Sequence, residues 1–543
     1  MHDNGYTKLP PKDRIERYEK AYQQASLWYG KLQIAYQLTM PTRAEFTIKY
    51  KTPGTPLYNH VYNSTPVRAL SHYASNLSSL LCPKGSNWAK LTPSRRTEEL
   101  AKEGKIDLHE ARAQLAKVED QMFEAIDKSN FHQATHQAMM EMAISTGVML
   151  IQAGPSIEEP VRYTAVPLHE ICCEPGPDGT IQNVYRYYKM QARLIQQQWP
   201  EAQLPNSVMD ALEDDPTKEI ELIEGTMFHP ELPEEHQWCY FVMDKAAAED
   251  IYVDYRDFSP WVVARTGVLP GETFGHGPVL QSLSDIKLLN KMSQDLIRYN
   301  SYQAGPMWGD STGSSINFYT ANLEPGAVIP VAAGPNGQST LFQIPVTGNV
   351  TWNAQQIQAL EESIQEALQV NPLQAEDPKG DRTAYEIQQK QMEWQRQNQA
   401  LEARSEKEWL WPILDKTYRI MAKWGYWKSY KLDQSMVKVE FQSPLRQMRG
   451  KTEISNLMQS VQQLAEVVGP ELAQQMLVYN YQVDKLGQFI AMNNNVDPEL
   501  IRSDLEKSKI TQMATQVAQQ PPQTAPVQPT QGAPINAGQT PAG

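Results

Sequence analysis

The sequence predicts an α+β fold that is mainly helical, and three observations carry that reading. Residues 1–270 mix helical apolar periods with short strand-like runs. From Gly271 onward, two helix patterns bracket a turn-rich insert, and the loop Asn371–Thr383 leads into a very long polar helix. Past about Ala518 the chain becomes QQPPQTAPVQPTQGAPINAGQTPAG, which has too few apolar side chains to bury a core.

In chain order, Asp13 to about Thr39 reads as a helix rich in Tyr, Trp and Gln, stopped by Pro41. Thr65-Pro66 starts an amphipathic helix with Pro66 at its first position. Val67, Leu70, Tyr73, Ala74, Leu77 and Leu81 repeat along it, and Pro83-Lys84-Gly85 ends it. Trp88–Leu91 alternates like a short strand. Asp107 suits an N-cap, and Leu108 to about Ser145 reads as largely helical. Gly147–Ile151 is expected as a short buried strand. Val161–Glu174 and Gln182–Lys189 read as strands around a turn at Pro175–Gly179. Trp238–Met243 and Ile251–Tyr255 form a hairpin pattern across Asp244–Asp250, and Trp261–Arg265 is one more strand. The Gly-rich turn Gly271–Pro278 opens a helix from Val279 to about Tyr302. Trp352–Val370 is a second helix, and Val437–Phe441 is strand-like. The residues past about Ala518 are read as disordered.

The 543 residues suffice for two to four structural units. A formal charge of -14 argues against a tight nucleic-acid clamp, which normally carries a basic patch. It leaves open a duct through which DNA slides. The 4 cysteines, Cys82, Cys172, Cys173 and Cys239, have neither zinc-ligand nor disulfide-framework spacing, and the adjacent Cys172-Cys173 read as buried small apolar residues. The N-terminal MHDNGYTKLPPKDR lacks the apolar core of a signal peptide, and no apolar run is long enough for a membrane span.

Candidate chemical motifs dissolve on inspection. Gly450-Lys451-Thr452 follows a strand-like run as a phosphate loop would, but Leu445 stands where the required glycine belongs. It reads as a helix start. His132 and His136 share a helical face, yet Gln133 occupies the glutamate position of a metalloprotease motif and no third ligand is evident. Gly271–Gly277 lacks the dinucleotide fingerprint and reads as a turn. Asp214-Asp215 and Glu234-Glu235 read as solvated loops. No catalytic, cofactor-binding or metal-ligating set is expected.

The long helix is the more telling element. From Thr383 to Glu408 it is polar nearly all round, as suits a helix that bridges units or packs on sister copies. From Trp409 to Trp427 it turns aromatic and should be buried. Pro412 removes a backbone hydrogen bond and is expected to kink it. An ordinary helical hairpin in a globular protein remains the plainer reading.

Five segments, taken in order, resemble the portal (head-to-tail connector) proteins of short-tailed, podoviral double-stranded DNA bacteriophages. They are Thr65-Pro66 through Cys82-Pro83 and Trp88–Leu91; Phe131–Ile151; Gly275 and Gly277-Pro278 with Leu283, Ile286, Leu289 and Asn290; Asn371 with Asp381–Ile387 and then Trp411-Pro412; and Phe441–Leu445. Each is short and degenerate. Their order and spacing carry the likeness, which spans about Asp13 to Arg502.

The resemblance implies a portal fold, a dodecameric ring with a central channel at one capsid vertex of the virion. It implies a wing at 1–276, a stem helix at 277–303, a clip at 304–351 and a second stem helix at 352–371. A channel loop at 372–383 would follow, then a long kinked wing helix and return strand at 384–451, crown helices at 452–510 and a Pro/Gln-rich tail at 511–543. In that frame Gln374, Lys379 and Arg382 face double-stranded DNA. Lys379 and Arg382 lie beside Glu376, Asp377 and Asp381, so phosphate is met without net attraction; the loop also reads as a solvated helix lead-in. The implied partners are sister copies, the large subunit of the terminase as packaging ATPase, tail adaptor and tail tube proteins, and scaffolding and major capsid proteins. Assembly in the host cytoplasm is implied, without membrane insertion. Two other classes stay open: a helical scaffold that never forms a ring, and a DNA-processing enzyme built on scattered carboxylates.

Overall fold

A computed structural model describes residues 10–43, 46–47, 58–103, 108–200, 202, 204–305, 308–310, 341–343, 350–369, 399–427, 437–441, 462 and 469. The chain divides into two units, Met1–Arg446 and Gln447–Gly543. In the second, Gln462 is helical and Gly469 takes a positive φ of 91°. The expected crown and tail fall otherwise outside the described residues, as does Gly450-Lys451-Thr452.

The first unit is built on two antiparallel sheets. Strands β2 (Thr146–Ala153), β3 (Val161–Val166) and β9 (Trp261–Arg265) form one, in the order β3-β2-β9. A five-stranded meander forms the other: β4 (Ile171–Pro175), β5 (Ile181–Gln191), β6 (Glu219–Phe228), β7 (Trp238–Asp244) and β8 (Glu249–Arg256). Strand β2 reads as one apolar run because both its faces are covered. Val148 and Leu150 meet Ile171, Cys173, Val184 and Trp261 between the sheets, while Met149 and Ile151 enter the main helical core.

Helix α1 (Pro11–Thr39) covers one face of the meander. Its Tyr18 meets Tyr185 edge-on at 6.3 Å, and buried Arg14 lies 5.2 Å from the centre of the Phe241 ring. That guanidinium is neutralised by Asp250, with Nη1 donating to Oδ1 at 2.7 Å and Nη2 to Oδ2 at 3.0 Å. Helix α2 (Thr65–Leu81) has the expected bounds, and its apolar stripe is buried. Strand β1 (Ala89–Pro93) pairs antiparallel with β12 (Val437–Phe441), a ladder between segments far apart in sequence. Helix α3 (Arg95–Lys102) follows β1.

Three expected continuities are broken. The helix expected from Leu108 to Ser145 is two, α4 (Leu108–Lys128) and α5 (Phe131–Ile144). The break is made by Asn130, whose side chain donates to Tyr163 O at 2.6 Å and accepts from Tyr163 N–H at 3.1 Å. The strand expected over Val161–Glu174 is interrupted by Pro167 and the short helical turn Leu168–Glu170, where the chain crosses between sheets. The helix expected from Val279 divides into α8 (Pro278–Gln281) and α9 (Leu283–Ala304) at Ser282, whose ψ of 11° leaves the helical region.

Strand β6, absent from the sequence reading, is central to the meander. Helices α6 (Ala192–Gln198) and α7 (Asn206–Asp214), likewise unread, close a satellite core in which Ile195, Trp199 and Val208 pack with Leu222, Tyr240 and Val242. In the turn-rich insert, β10 (Trp308–Asp310) pairs antiparallel with β11 (Leu341–Gln343). Helix α10 (Val350–Ala367) packs on α9 and α2. Residues 399–405 are helical, Glu406–Leu410 form a π turn, and α11 (Trp411–Lys423) continues from it.

Candidate functional site

The best-defined constructional feature is the α9/α10 helix pair and its attachment to the core. It begins at the C-terminus of α5, where the Gly-rich turn presses against backbone. A Cβ on Gly277 would sit 2.2 Å from Ala143 O, and one on Gly275 would sit 2.5 Å from Thr266 O. Only glycine fits there, which explains the motif better than any ligand does. Gly277 N–H bonds Ile144 O at 3.0 Å, Ser145 Oγ donates to Gly275 O at 2.8 Å, and Gly275 N–H bonds Thr146 Oγ1 at 3.1 Å. The start of the helix pair is therefore fixed to α5 and β2 by main-chain contacts.

A second attachment comes from the π turn. Glu408 Oε2 accepts from Arg265 N–H at 3.0 Å, and its Oε1 accepts from Arg265 Nη2, also at 3.0 Å. Arg265 ends β9, is 3% exposed, and also donates to Gly179 O at 3.0 Å. This ties the late helix to the strand that leads into the Gly-rich turn. The π turn ends two residues before Pro412, and the Trp411 N–H bonds Glu406 O.

The third attachment pins the helices from the side. Tyr62 N–H donates to Asn290 Oδ1 at 2.8 Å, and Asn290 Nδ2 donates to His60 O at 2.8 Å. Asn63 Nδ2 reaches Glu361 Oε1 on α10 at 2.7 Å and Ser293 Oγ on α9 at 3.3 Å, so one amide joins both helices. On this pair Ile286, Leu289 and Ile364, and Leu368 just after α10, are fully buried in the main core. At 22 residues, α9 extends about 33 Å at 1.5 Å per residue.

The buried carboxylates serve the fold. Glu141 accepts from the Tyr36 hydroxyl and from Arg43 Nη1 at 3.0 Å, and burial nonetheless pushes its carboxyl above the usual range. Glu224 behaves alike: burial raises it, while Arg186 and the Tyr240 hydroxyl at 2.6 Å oppose the rise. All 4 cysteines are buried and free, and desolvation raises the Cys172 thiol to about 12. His132 bonds Asp127 at 2.8 Å and His136 bonds Ser75 at 3.2 Å, so the two do not converge on one point. Among the described residues no cluster of three or more metal-ligand types occurs. No helix there is long and apolar enough to cross a membrane. Of the residues singled out from sequence, Pro412 lies in the first turn of α11. Gln374, Lys379 and Arg382 lie outside the described residues.

Residues 12–501 match the family described as bacteriophage head to tail connecting protein. The chain belongs to that family. It is a structural connector of a phage particle, with head and tail proteins as its partners. Among solved structures, one similar chain comes from the virion of a native gene transfer agent (GTA) particle, at 10% identity. That match covers 75% of this connector and 86% of that chain, with a TM-score of 0.30, too low to bear on fold or function. No curated protein matches the connector. Sequence reasoning missed the Arg265–Glu408 clamp, because two charged residues 143 positions apart give no local signal.

Proposed function

We propose that this connector is a portal: a dodecameric ring at one capsid vertex of a short-tailed phage, through which double-stranded DNA is packaged and ejected. In this reading α9 and α10 are the stem that walls the duct. The β10/β11 ladder belongs to the clip, where the terminase docks during filling and tail proteins dock afterwards. The 1–276 wing and its 384–451 return meet scaffolding and coat proteins. The loop 372–383 lines the duct, with Gln374, Lys379 and Arg382 toward DNA, and residues 452–510 form the crown. Pro412 bends the long helix where it passes from the polar half to the buried half. The protein carries no motor of its own, and the packaging ATPase is a separate chain.

The observation that supports this best is the helix pair α9/α10, rooted in the core at its start and polar on its outer sides. Those sides also leave Leu288 and Ile297 half exposed, apolar surface that a neighbouring copy would cover. The test is the mass of the purified chain in solution without nucleotide. A closed oligomer with a central hole in electron micrographs is expected. A clean 61.6 kDa monomer at micromolar concentration sinks the reading in favour of a non-ring scaffold.

A further inference from the structure

The outward sides of the two helices carry opposite charge. On α9 the exposed residues turned away from its buried seam include Lys287, Leu288, Lys291, Asp295 and Arg298, with Ser284 beside them. They recur at helical spacing and form one stripe, with three cations, one anion and a leucine that is 48% exposed. On α10 the corresponding stripe is Gln355, Gln358, Glu362 and Glu366, also exposed, with two anions and no cation. Within the chain the stripes are only loosely engaged. Lys291 reaches Asp295 at 3.0 Å and Gln294 at 3.4 Å, and Gln358 donates to Glu362 at 2.9 Å. Among the described residues no ion pair reaches Lys287, Arg298, Glu362 or Glu366.

We propose that these stripes are the two halves of one contact between copies, the basic α9 stripe of one connector lying against the acidic α10 stripe of the next. This deepens the portal reading and rests on it. Two different, complementary surfaces on one chain make a head-to-tail contact, which closes into a ring when the rotation between copies divides a full turn. A self-complementary dimer would instead need a single patch that matches itself. Exposed pairs contribute little one by one, so the stripes act chiefly in choosing the neighbour and its register, with Leu288 supplying apolar contact. Like stripes repel, which disfavours α9 against α9 and α10 against α10.

The experiment uses two full-length variants. One reverses the α9 stripe (Lys287→Glu, Lys291→Glu, Arg298→Glu), and the other reverses the α10 stripe (Glu362→Lys, Glu366→Lys). The first then carries two acidic stripes and the second two basic ones. Each alone should lose closed oligomers at least tenfold at low salt, while far-ultraviolet circular dichroism stays native. Mixed in equal amounts, the two should restore rings in which variants alternate, detected by native mass, and added salt should weaken that rescue. A surface needed only for folding would not be repaired by mixing. Variants that each form rings as well as the parent, or a mixture that forms none, overturn this inference while leaving the portal reading standing. A parent chain that forms no oligomer overturns both.

Discussion

The junction of α5, β2 and β9 with the Gly-rich turn and the α9/α10 pair beyond it are built on opposite rules. At the junction, Gly275 and Gly277 leave no room for a methyl group, Ser145 and Thr146 satisfy main-chain groups of the turn, and Arg265 is enclosed by carbonyls and Glu408. Along the helix pair, Ile286, Leu289, Ile364 and Leu368 are dry, and the outward positions are mostly polar or small side chains with Leu288 and Ile297 exposed among them. The first region fixes a direction, because main-chain contacts in a packed interior allow little adjustment. The second offers surface that any close neighbour must match. Substitutions should therefore cost fold stability in one region and assembly or DNA handling in the other.

The largest effect is expected from Glu408→Ala, which strands the Arg265 guanidinium inside the fold. A loss of about 3 kcal/mol is expected, since removing one partner of a buried pair leaves a charge with incomplete compensation. A urea midpoint within error of the parent would show that the clamp is incidental. Gly277→Ala should follow at about 2 kcal/mol, as the new methyl must displace the Ala143 carbonyl. The same change at Gly271, where a Cβ would meet nothing within 4 Å but φ is 86°, should cost only about 1 kcal/mol. Equal melting losses at the two glycines would erase the distinction between close approach and backbone preference.

A smaller, pH-dependent effect belongs to Glu224. Burial raises its carboxyl, so the folded state binds that proton more tightly than the unfolded chain does. The stability linked to it is present below the ordinary carboxylate range and is lost as pH rises through the raised value. Glu224→Gln keeps an acceptor for the Tyr240 hydroxyl and removes the titration. The parent's urea midpoint should therefore fall more steeply than the variant's as pH rises from the ordinary carboxylate range. Parallel curves would mean that the Arg186 and Tyr240 contacts cancel the burial cost.

The smallest effect on stability is expected at the loop charges. Lys379→Ala with Arg382→Ala should change the melting midpoint by less than about 0.5 kcal/mol equivalent. If the loop faces DNA, the same variant should form normal rings yet yield empty or leaky heads, most visibly at low salt. Full-length DNA retained at normal yield would remove the loop from the duct. Failed rings would place it among the contacts that hold copies together.

Elements whose information is local were legible in the sequence. Helix α2 was bounded by Thr65-Pro66 and Pro83, the β7/β8 hairpin by its apolar runs, and β9 and β12 by short β-branched stretches; the glycines of Gly271–Pro278 announced a turn. The order of the five resembling segments was enough to name the family. Strand β6 was hidden because Glu219, Glu221 and Glu224 interrupt its apolar pattern, and only the fold supplies the Arg186 and Tyr240 groups that let Glu224 be buried. The division at Asn130 was hidden because its partner, Tyr163, belongs to another element. The pairing of β1 with β12, the reach of Glu408 to Arg265 and the joining of α9 to α10 by Asn63 all depend on side chains that meet only after the chain has closed on itself. The sequence by itself determined which segments are helix, strand or turn wherever periodicity and turn chemistry act between near neighbours. The tertiary structure alone decided which of these are clamped and which are left facing outward, because burial and charge compensation are properties of three-dimensional neighbours.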